Sequence, residues 1–178
     1  MIAQAKARFG EPEGLRFTVR GFEEPWTPQE PLDAVVCVGN SLALAPDLIA
    51  VRRAIHQMLS AVRPGGVVVV HALNLWQRTD GPCVWQKCRR AALPQGDVLI
   101  LKGIHRAGPR GFVDLILTGI PSGPILHSES VAWLGLEAAE LGQMALHSGA
   151  TRLEFFGGYQ QQPYDRASSQ DLLMLAEK

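Results

Sequence analysis

The sequence predicts an α/β fold built on a mostly parallel sheet that closes with an antiparallel pair of strands. Two apolar runs, residues 34–38 and 67–73, are rich in β-branched residues on both alternating faces, as in strands of a helix-covered parallel sheet. Between them, apolar residues recur at helical spacing from Leu48 to Val62. Near the end of the chain, the runs 152–159 and 171–178 are separated by a polar loop, which predicts the closing strand pair.

Length and composition favour one domain over residues 1–178. The chain has 178 residues, of which 47% are hydrophobic, and this is enough to bury a single core. Lysine plus arginine and aspartate plus glutamate number 17 each, so the net charge creates no field that attracts a polyanion. We therefore expect neither a nucleic-acid nor a membrane partner.

Cysteine usage indicates a reduced chain without a zinc site. Cys37, Cys83 and Cys88 are odd in number, and no second pair completes a ligand set around the last two. The histidines outside residues 67–73 are scattered through different predicted elements: His56, His105, His127 and His147.

No signal segment is apparent at the start, and no apolar run is long enough to cross a bilayer. A cytoplasmic protein with no bound metal is the expectation.

The first third of the chain predicts a helix, a strand and a loop. Residues 1–9 are rich in helix formers, and the glycines and proline that follow stop the helix. Residues 15–22 alternate apolar and polar side chains, which predicts a strand with one wetter face. The proline-rich segment 23–31 is a loop. After the strand at 34–38 and the helix that follows it, the RPGG sequence at 63–66 ends that helix before the next strand begins.

The middle of the chain is less regular. Residues Asn74–Ala92 read as a second amphipathic helix, or a helix followed by a loop. The runs 97–107 and 111–120 alternate like strands and are joined by a glycine-proline turn, which predicts an antiparallel hairpin. A further helix is predicted from Leu134 to Ala145, with Gly149 as its C-terminal cap.

Five stretches, taken in order, resemble segments of the class I S-adenosylmethionine-dependent methyltransferases. They match the helix after the ribose-binding acid, the third strand with its adenine-binding turn, the fourth strand, the fifth strand, and the last helix with the final two strands. The stretches are MIAQAKARF, LRFTVRGFEEP, LDAVVCVGNSLALAPD, LSAVRPGGVVVVHALN and LHSGATRLEFFGGYQQQPYDRASSQDLLMLAEK. The resemblance covers nearly the whole chain and implies a Rossmann-like methyltransferase sheet.

The resemblance also implies a cofactor site for S-adenosylmethionine. Gly21 and Phe22 match the turn that binds adenine, and residues 37–41 match the strand end that faces the methionine portion. The cofactor candidates are therefore Gly21, Phe22, Cys37, Val38, Gly39, Asn40 and Ser41. From the residues alone, the Gly39-Asn40-Ser41 turn reads equally well as an ordinary turn; its place at the end of a strand favours ligand contact.

Substrate contacts are expected from two places. Asn74 and Trp76 follow the second buried strand, and Tyr159, Tyr164 and Arg166 lie in the loop between the last two strands. In this family that loop can border the substrate pocket, although a solvated hairpin loop is an equal alternative. His71 is a candidate general base; the alternative for His71 is a hydrogen-bonded core histidine.

The sequence departs from the family pattern in two ways. The glycine-rich loop and the ribose-binding acid have no match, so the N-terminal strands that carry them are expected to be missing. Gly21 stands where the family commonly has an acid that accepts a hydrogen bond from the adenine amine. Without the first strand, the run 34–38 would present an apolar edge. Either the 15–22 strand shifts to cover it or a second copy of the chain does. We expect a homodimer or an aggregation-prone monomer.

The function implied by the resemblance is methyl transfer from S-adenosylmethionine to a nitrogen, oxygen or carbon nucleophile of a small molecule. An alternative is a non-catalytic methyltransferase-like fragment or assembly partner whose cofactor site is incomplete. A third possibility is an unrelated α/β binding domain, which would lack the closing antiparallel pair.

Overall fold

The computed structural model describes residues 1–22, 24–94, 96–121 and 123–178. It contains three α-helices and eight strands in these residues, together with a short 3-10 turn at Leu42–Leu44. The elements are, in chain order, α1 (Ile2–Phe9), β1 (Leu32–Cys37), α2 (Leu48–Ala61), β2 (Val62–Leu73), β3 (Val84–Leu93), β4 (Gly96–Ala107), β5 (Arg110–Gly119), β6 (Ile125–Leu134), α3 (Ala138–His147), β7 (Arg152–Phe156) and β8 (Asp171–Glu177).

The first sheet has the strand order β1-β2-β8-β7. β1 and β2 run parallel, as expected for a strand, helix, strand unit, and the closing pair of β7 and β8 is antiparallel as predicted. β8 also pairs with β2 in an antiparallel manner, so only one of the three pairings is parallel. The prediction of a mostly parallel sheet is therefore not confirmed. The reason is connectivity: α2 is the one described helix that links two strands within this sheet, and parallel neighbours need such a crossover.

A second sheet is an antiparallel meander in the order β3-β4-β5-β6. The predicted hairpin forms its centre, with Ala107 paired to Arg110 across the turn. The helix predicted over Asn74–Ala92 is wrong, because Val84–Leu93 forms β3 along β4. β6 was not predicted at all. Both outer strands are mostly exposed, and their apolar residues do not alternate regularly with polar ones. The hydrophobic pattern is therefore weak, and the backbone pairing with the central hairpin decides their conformation.

Two predictions about the region around β1 are also wrong. Residues 15–22 form no strand and lie largely exposed, so they do not cover the edge of β1. The free edge of β1 has no paired strand among the described residues. β1 is not buried on both faces either: Val35 packs against the core, whereas Val36 is 61% exposed. Glu23, in the predicted proline-rich loop, lies outside the described residues.

The core lies between the first sheet and the two helices α2 and α3. Val68 and Val70 of β2 and Met174 of β8 are fully buried against these helices. Asp47 caps α2 by accepting a hydrogen bond from the Ala50 N–H at 2.8 Å. The RPGG segment belongs to the start of β2 rather than to a turn before it, and the register between β1 and β2 shifts there.

The helix predicted from Leu134 is confirmed as α3, but it begins four residues later, because Leu134 completes β6. Gly149 follows the Ser148 cap with a φ of 99°, the left-handed conformation that glycine adopts without strain. The buried Trp133 of β6 extends the core toward the meander. It packs so tightly on Gly111 that a Cβ there would lie 2.2 Å from the indole Cε2.

Candidate functional site

A cavity of about 420 Å³ lies along the free edge of β1. Five of the seven predicted cofactor residues line it: Gly21, Phe22, Cys37, Val38 and Ser41. Glu24 and Trp26 also line it, although neither was singled out from the sequence. The structure thus brings the segment before β1 and the C-terminal end of β1 together in one cavity.

Glu24 occupies the space next to Gly21. A Cβ built at Gly21 would lie 3.6 Å from the Glu24 Oε1 atom. Gly21 is the position where the family commonly has an acid, so a carboxylate is present beside that position after all, supplied three residues further along the chain. The sequence signal was the pair Glu23-Glu24 directly after the turn.

The segment that carries Glu24 is attached to the sheet through α2. The Trp26 N–H donates a hydrogen bond to the Gln57 side-chain oxygen at 3.2 Å. The guanidinium of Arg20 lies 5.3 Å from the Trp26 ring centroid, a cation–π contact. These contacts hold an aromatic ring and a carboxylate on one wall of the cavity while β1 forms the other wall.

The turn after β1 is fixed by hydrogen bonds to β2. Gly39 has a φ of 73° and Asn40 a φ of 64°, both in the left-handed region. The Asn40 side-chain oxygen accepts a hydrogen bond from the Leu73 N–H at 2.9 Å. The Ser41 hydroxyl donates to the Val38 carbonyl at 2.7 Å. Gly39 and Asn40, two of the predicted cofactor residues, therefore shape the end of β1 by joining it to β2.

His71 is the second link between these strands. Its Nδ1 accepts a hydrogen bond from the Gly39 N–H at 3.1 Å, and its Nε2 lies 3.1 Å from the Asp171 Oδ1. The residue is 8% exposed, and both ring nitrogens are engaged within the protein. The exposed Tyr159 ring lies 5.3 Å from the imidazole centroid. This arrangement matches the hydrogen-bonded core histidine more closely than a free general base.

Four of the five predicted substrate residues form one cluster at the end of β2. The buried Asn74 amide donates to the carbonyls of Arg166 and Ser169 at 2.9 and 2.7 Å. Its oxygen accepts from the Trp76 N–H at 3.1 Å and from the Tyr164 hydroxyl at 3.2 Å. Every hydrogen-bonding group of this amide is used, so Asn74 holds the cluster together. Tyr159, the fifth predicted substrate residue, lies apart beside the imidazole.

The Trp76 ring is the apolar centre of this cluster. The guanidiniums of Arg106 and Arg166 lie 4.7 and 4.5 Å from its centroid, and its indole N–H donates to the Leu136 carbonyl at 3.0 Å. Arg166 also forms an ion pair with Glu137 at 2.7 Å, which raises the pKa of Arg166. Burial, followed by the charge of Glu137, raises the pKa of the Tyr164 hydroxyl, so this hydroxyl stays protonated and donates to Asn74.

No family model matches the sequence, and no curated protein matches it in a sequence comparison. Solved structures do match. The sugar N-methyltransferase KedS8 from Streptoalloteichus sp. ATCC 53650 aligns with a TM-score of 0.73 at 17% identity, over 99% of this chain and 66% of that one. CalS10, an amino-pentose methyltransferase from Micromonospora echinaspora, aligns with a TM-score of 0.71 at 16% identity, over 99% and 69%.

A third similar structure is the CcbJ methyltransferase from Streptomyces caelestis, with a TM-score of 0.68 at 18% identity. The alignment covers 89% of this chain and 62% of CcbJ, so the chain spans about two thirds of the length of these enzymes. No helix among the described residues is long and apolar enough to cross a membrane.

The similarity in fold to these methyltransferases is extensive, although the sequence identities are low. The chain therefore has the fold of the class I S-adenosylmethionine-dependent methyltransferases.

Proposed function

We propose that this chain takes part in methyl transfer from S-adenosylmethionine to a nucleophile of a small molecule. The observation that carries the proposal is the cavity along β1, where Gly21, Phe22, Cys37, Val38 and Ser41 meet at the carboxyl end of a parallel strand. Ligands of open α/β sheets bind at this end of the strands. The methyltransferase fold adds support of a second kind.

The residues of the cavity fit the adenine part of the cofactor. Phe22 and Trp26 offer aromatic surface for the flat ring, and the Glu24 carboxylate is an acceptor for the exocyclic amine. The backbone at Cys37 and Val38 would face the methionine portion. When bound, the cofactor supplies a methyl group on a positively charged sulfur, which is already a reactive donor.

The remaining task of the protein is to hold the acceptor in line with that methyl group. We propose that Trp76, Tyr159 and Arg166 contact the acceptor, with Asn74 and Tyr164 fixing the loop that carries Arg166. His71 acts as a positioning residue, because its two nitrogens hold Gly39 and Asp171. The similarity to a sugar N-methyltransferase and an amino-pentose methyltransferase supports an amine on a small polar molecule as the acceptor.

The free edge of β1 carries a second proposal, a homodimer. An unpaired apolar strand edge is a template for pairing with another chain. A second copy that pairs along β1 would add backbone hydrogen bonds and close the open side of the cavity. Light scattering is the measurement: a dimer supports the proposal, and a strict monomer over the accessible concentration range contradicts it.

The test of the function is calorimetric titration of the purified chain with S-adenosylhomocysteine, which needs no knowledge of the acceptor. Micromolar affinity would support the cofactor site and justify a screen of amine acceptors. Absence of binding at millimolar ligand would contradict it and favour the non-catalytic assembly partner. A matched titration with adenosine separates recognition of the adenine part from that of the amino-acid part.

A further inference from the structure

Three metal-ligating side chains meet in the second sheet, away from the cavity along β1. Cys83, His105 and Asp114 each offer one ligand atom, and these atoms all lie within 4.8 Å of one another. The His105 Nδ1 is already 2.9 Å from the Asp114 Oδ2. No pattern in the sequence groups these residues, because they come from three separate segments.

The meander brings them together by strand register. Val84 pairs with Ile104, so Cys83, just before β3, falls opposite His105. Gly103 pairs with Asp114, two residues from His105 along β4. Since alternate residues of a strand share a face, all three side chains project from the same face of the sheet. Antiparallel pairing across three strands thus produces the cluster.

The packing around the cluster favours a defined position for the sulfur. A Cβ at Gly103 would lie 2.2 Å from the Cys83 Sγ, so the glycine leaves room for the thiol in its present rotamer. The His105 ring stacks on Phe112 with centroids 4.8 Å apart and planes 10° from parallel, which restricts the rotation of the imidazole. The side chains of His105 and Asp114 remain 27% and 21% exposed, so an ion can enter from solvent.

We propose that Cys83, His105 and Asp114 bind a divalent ion of the zinc class. A thiolate, an imidazole nitrogen and a carboxylate oxygen are the three ligand types that Zn²⁺ takes in proteins, at about 2.0–2.3 Å. With both acidic ligands deprotonated, their charge balances that of the ion. Small adjustments of the three side chains would place an ion between their ligand atoms, and the fourth tetrahedral position is left for water.

The proposal does not depend on methyl transfer, so its test uses the metal alone. Chelator-treated protein is titrated with Co²⁺, whose thiolate charge-transfer absorption reports a cysteine ligand directly, and Zn²⁺ is then added as a competitor. Cys83→Ser tests the sulfur, and Cys88→Ser is the matched control because Cys88 lies nearby on β3 and is exposed. His105→Gln and Asp114→Asn test the other two ligands.

The expected result is one Co²⁺ per chain with a thiolate band that Zn²⁺ abolishes. The band should persist in Cys88→Ser and vanish in Cys83→Ser, and affinity should fall roughly tenfold or more in the other two variants. The proposal is overturned if the wild-type protein shows no thiolate band, or if the band survives in Cys83→Ser. Circular dichroism of each metal-free variant checks its folding. If Cys83→Ser is misfolded, the metal affinity of His105→Gln decides the test: a loss of affinity supports the proposal, and an unchanged affinity overturns it.

Discussion

The imidazole of His71 holds the backbone of Gly39: its Nδ1 accepts the Gly39 N–H at 3.1 Å, at the turn that ends β1. Because Nδ1 is an acceptor here, the ring proton lies on Nε2 and points to Asp171, 3.1 Å away. One side chain of β2 therefore ties the turn after β1 to the first residue of β8. The end of the sheet at which the cofactor is proposed to bind depends on this link.

We expect His71→Phe to lower both stability and affinity for S-adenosylhomocysteine. The ring volume is kept, but the Gly39 N–H and the Asp171 carboxylate lose their partner, at a cost of about 1–3 kcal/mol. Asp171→Asn should have a smaller effect in the same direction. Urea unfolding and calorimetric titration measure the two quantities, with the exposed His56→Phe as control. Unchanged stability and ligand affinity in His71→Phe would contradict the positioning role.

Glu24→Gln tests whether the carboxylate beside Gly21 recognises adenine. If it accepts a hydrogen bond from the exocyclic amine, the variant should bind S-adenosylhomocysteine about tenfold more weakly. The inosine analogue of S-adenosylhomocysteine has no such amine. The variant and the wild-type protein should therefore bind this analogue with equal affinity. Glu30→Gln, on the same exposed segment, is the control. Equal losses of affinity for both ligands would refute a specific contact to the amine.

Asn74 and Tyr164 allow the hydrogen bonds of the substrate cluster to be separated. Asn74→Ala removes the partner of the Arg166 and Ser169 carbonyls, the Trp76 N–H and the Tyr164 hydroxyl, and we expect it to lower the free energy of unfolding by about 2–4 kcal/mol. Tyr164→Phe removes one bond and should cost about 0.5–1.5 kcal/mol. Chemical denaturation measures both. Similar losses in the two variants would show that the amide is not the centre of the cluster.

Gly111→Ala should destabilise the contact between the meander and the core. The added methyl group would overlap the Trp133 indole, and overpacking of this kind costs about 1–3 kcal/mol. In a Trp133→Phe background the smaller ring leaves space, so the same substitution should cost much less. The double-mutant cycle is measured by thermal or urea unfolding. Additive effects would mean that the two residues do not compete for this space.

Acid should destabilise the loop before β8, because protonation of Asp165 weakens the hydrogen bonds that this carboxylate accepts. The Asp165 carboxylate accepts hydrogen bonds from the Ser168 hydroxyl and from the N–H groups of Ser168 and Ala167, and these lower its pKa. A lowered pKa in the folded state means that the stabilisation is present above the unfolded-state value and is lost as pH falls through the folded one. Carbon-detected NMR titration of the carboxyl should give a midpoint below that of an ordinary aspartate. An ordinary midpoint would contradict the turn.

The predicted cofactor residues illustrate how far local pattern reaches. Residues 37–41 were placed correctly at the end of a parallel strand, since an apolar run followed by small polar residues and a helix has few other readings. Glu24 was not recognised, because its place beside Gly21 depends on how the segment before β1 folds back. Similarly, the side-chain bonds that occupy His71 and Asn74 connect residues about 90 to 100 positions apart, and no local pattern reports them.

By itself, the sequence determined α1 from its helix formers, although none of its residues is buried. It also determined the elements with a strong hydrophobic period: α2, α3, β1, β2, the central hairpin and the closing strand pair. In the elements with this period, the residues that face the core repeat at the spacing of the element, so burial and local conformation agree. Only the tertiary structure decided β3 and β6, the absence of a strand at residues 15–22, and the grouping of Cys83, His105 and Asp114. The physical reason is that these features depend on backbone partners from distant segments. An exposed strand forms where a neighbouring strand offers hydrogen bonds. A segment that alternates apolar and polar residues but has no such neighbour forms no strand.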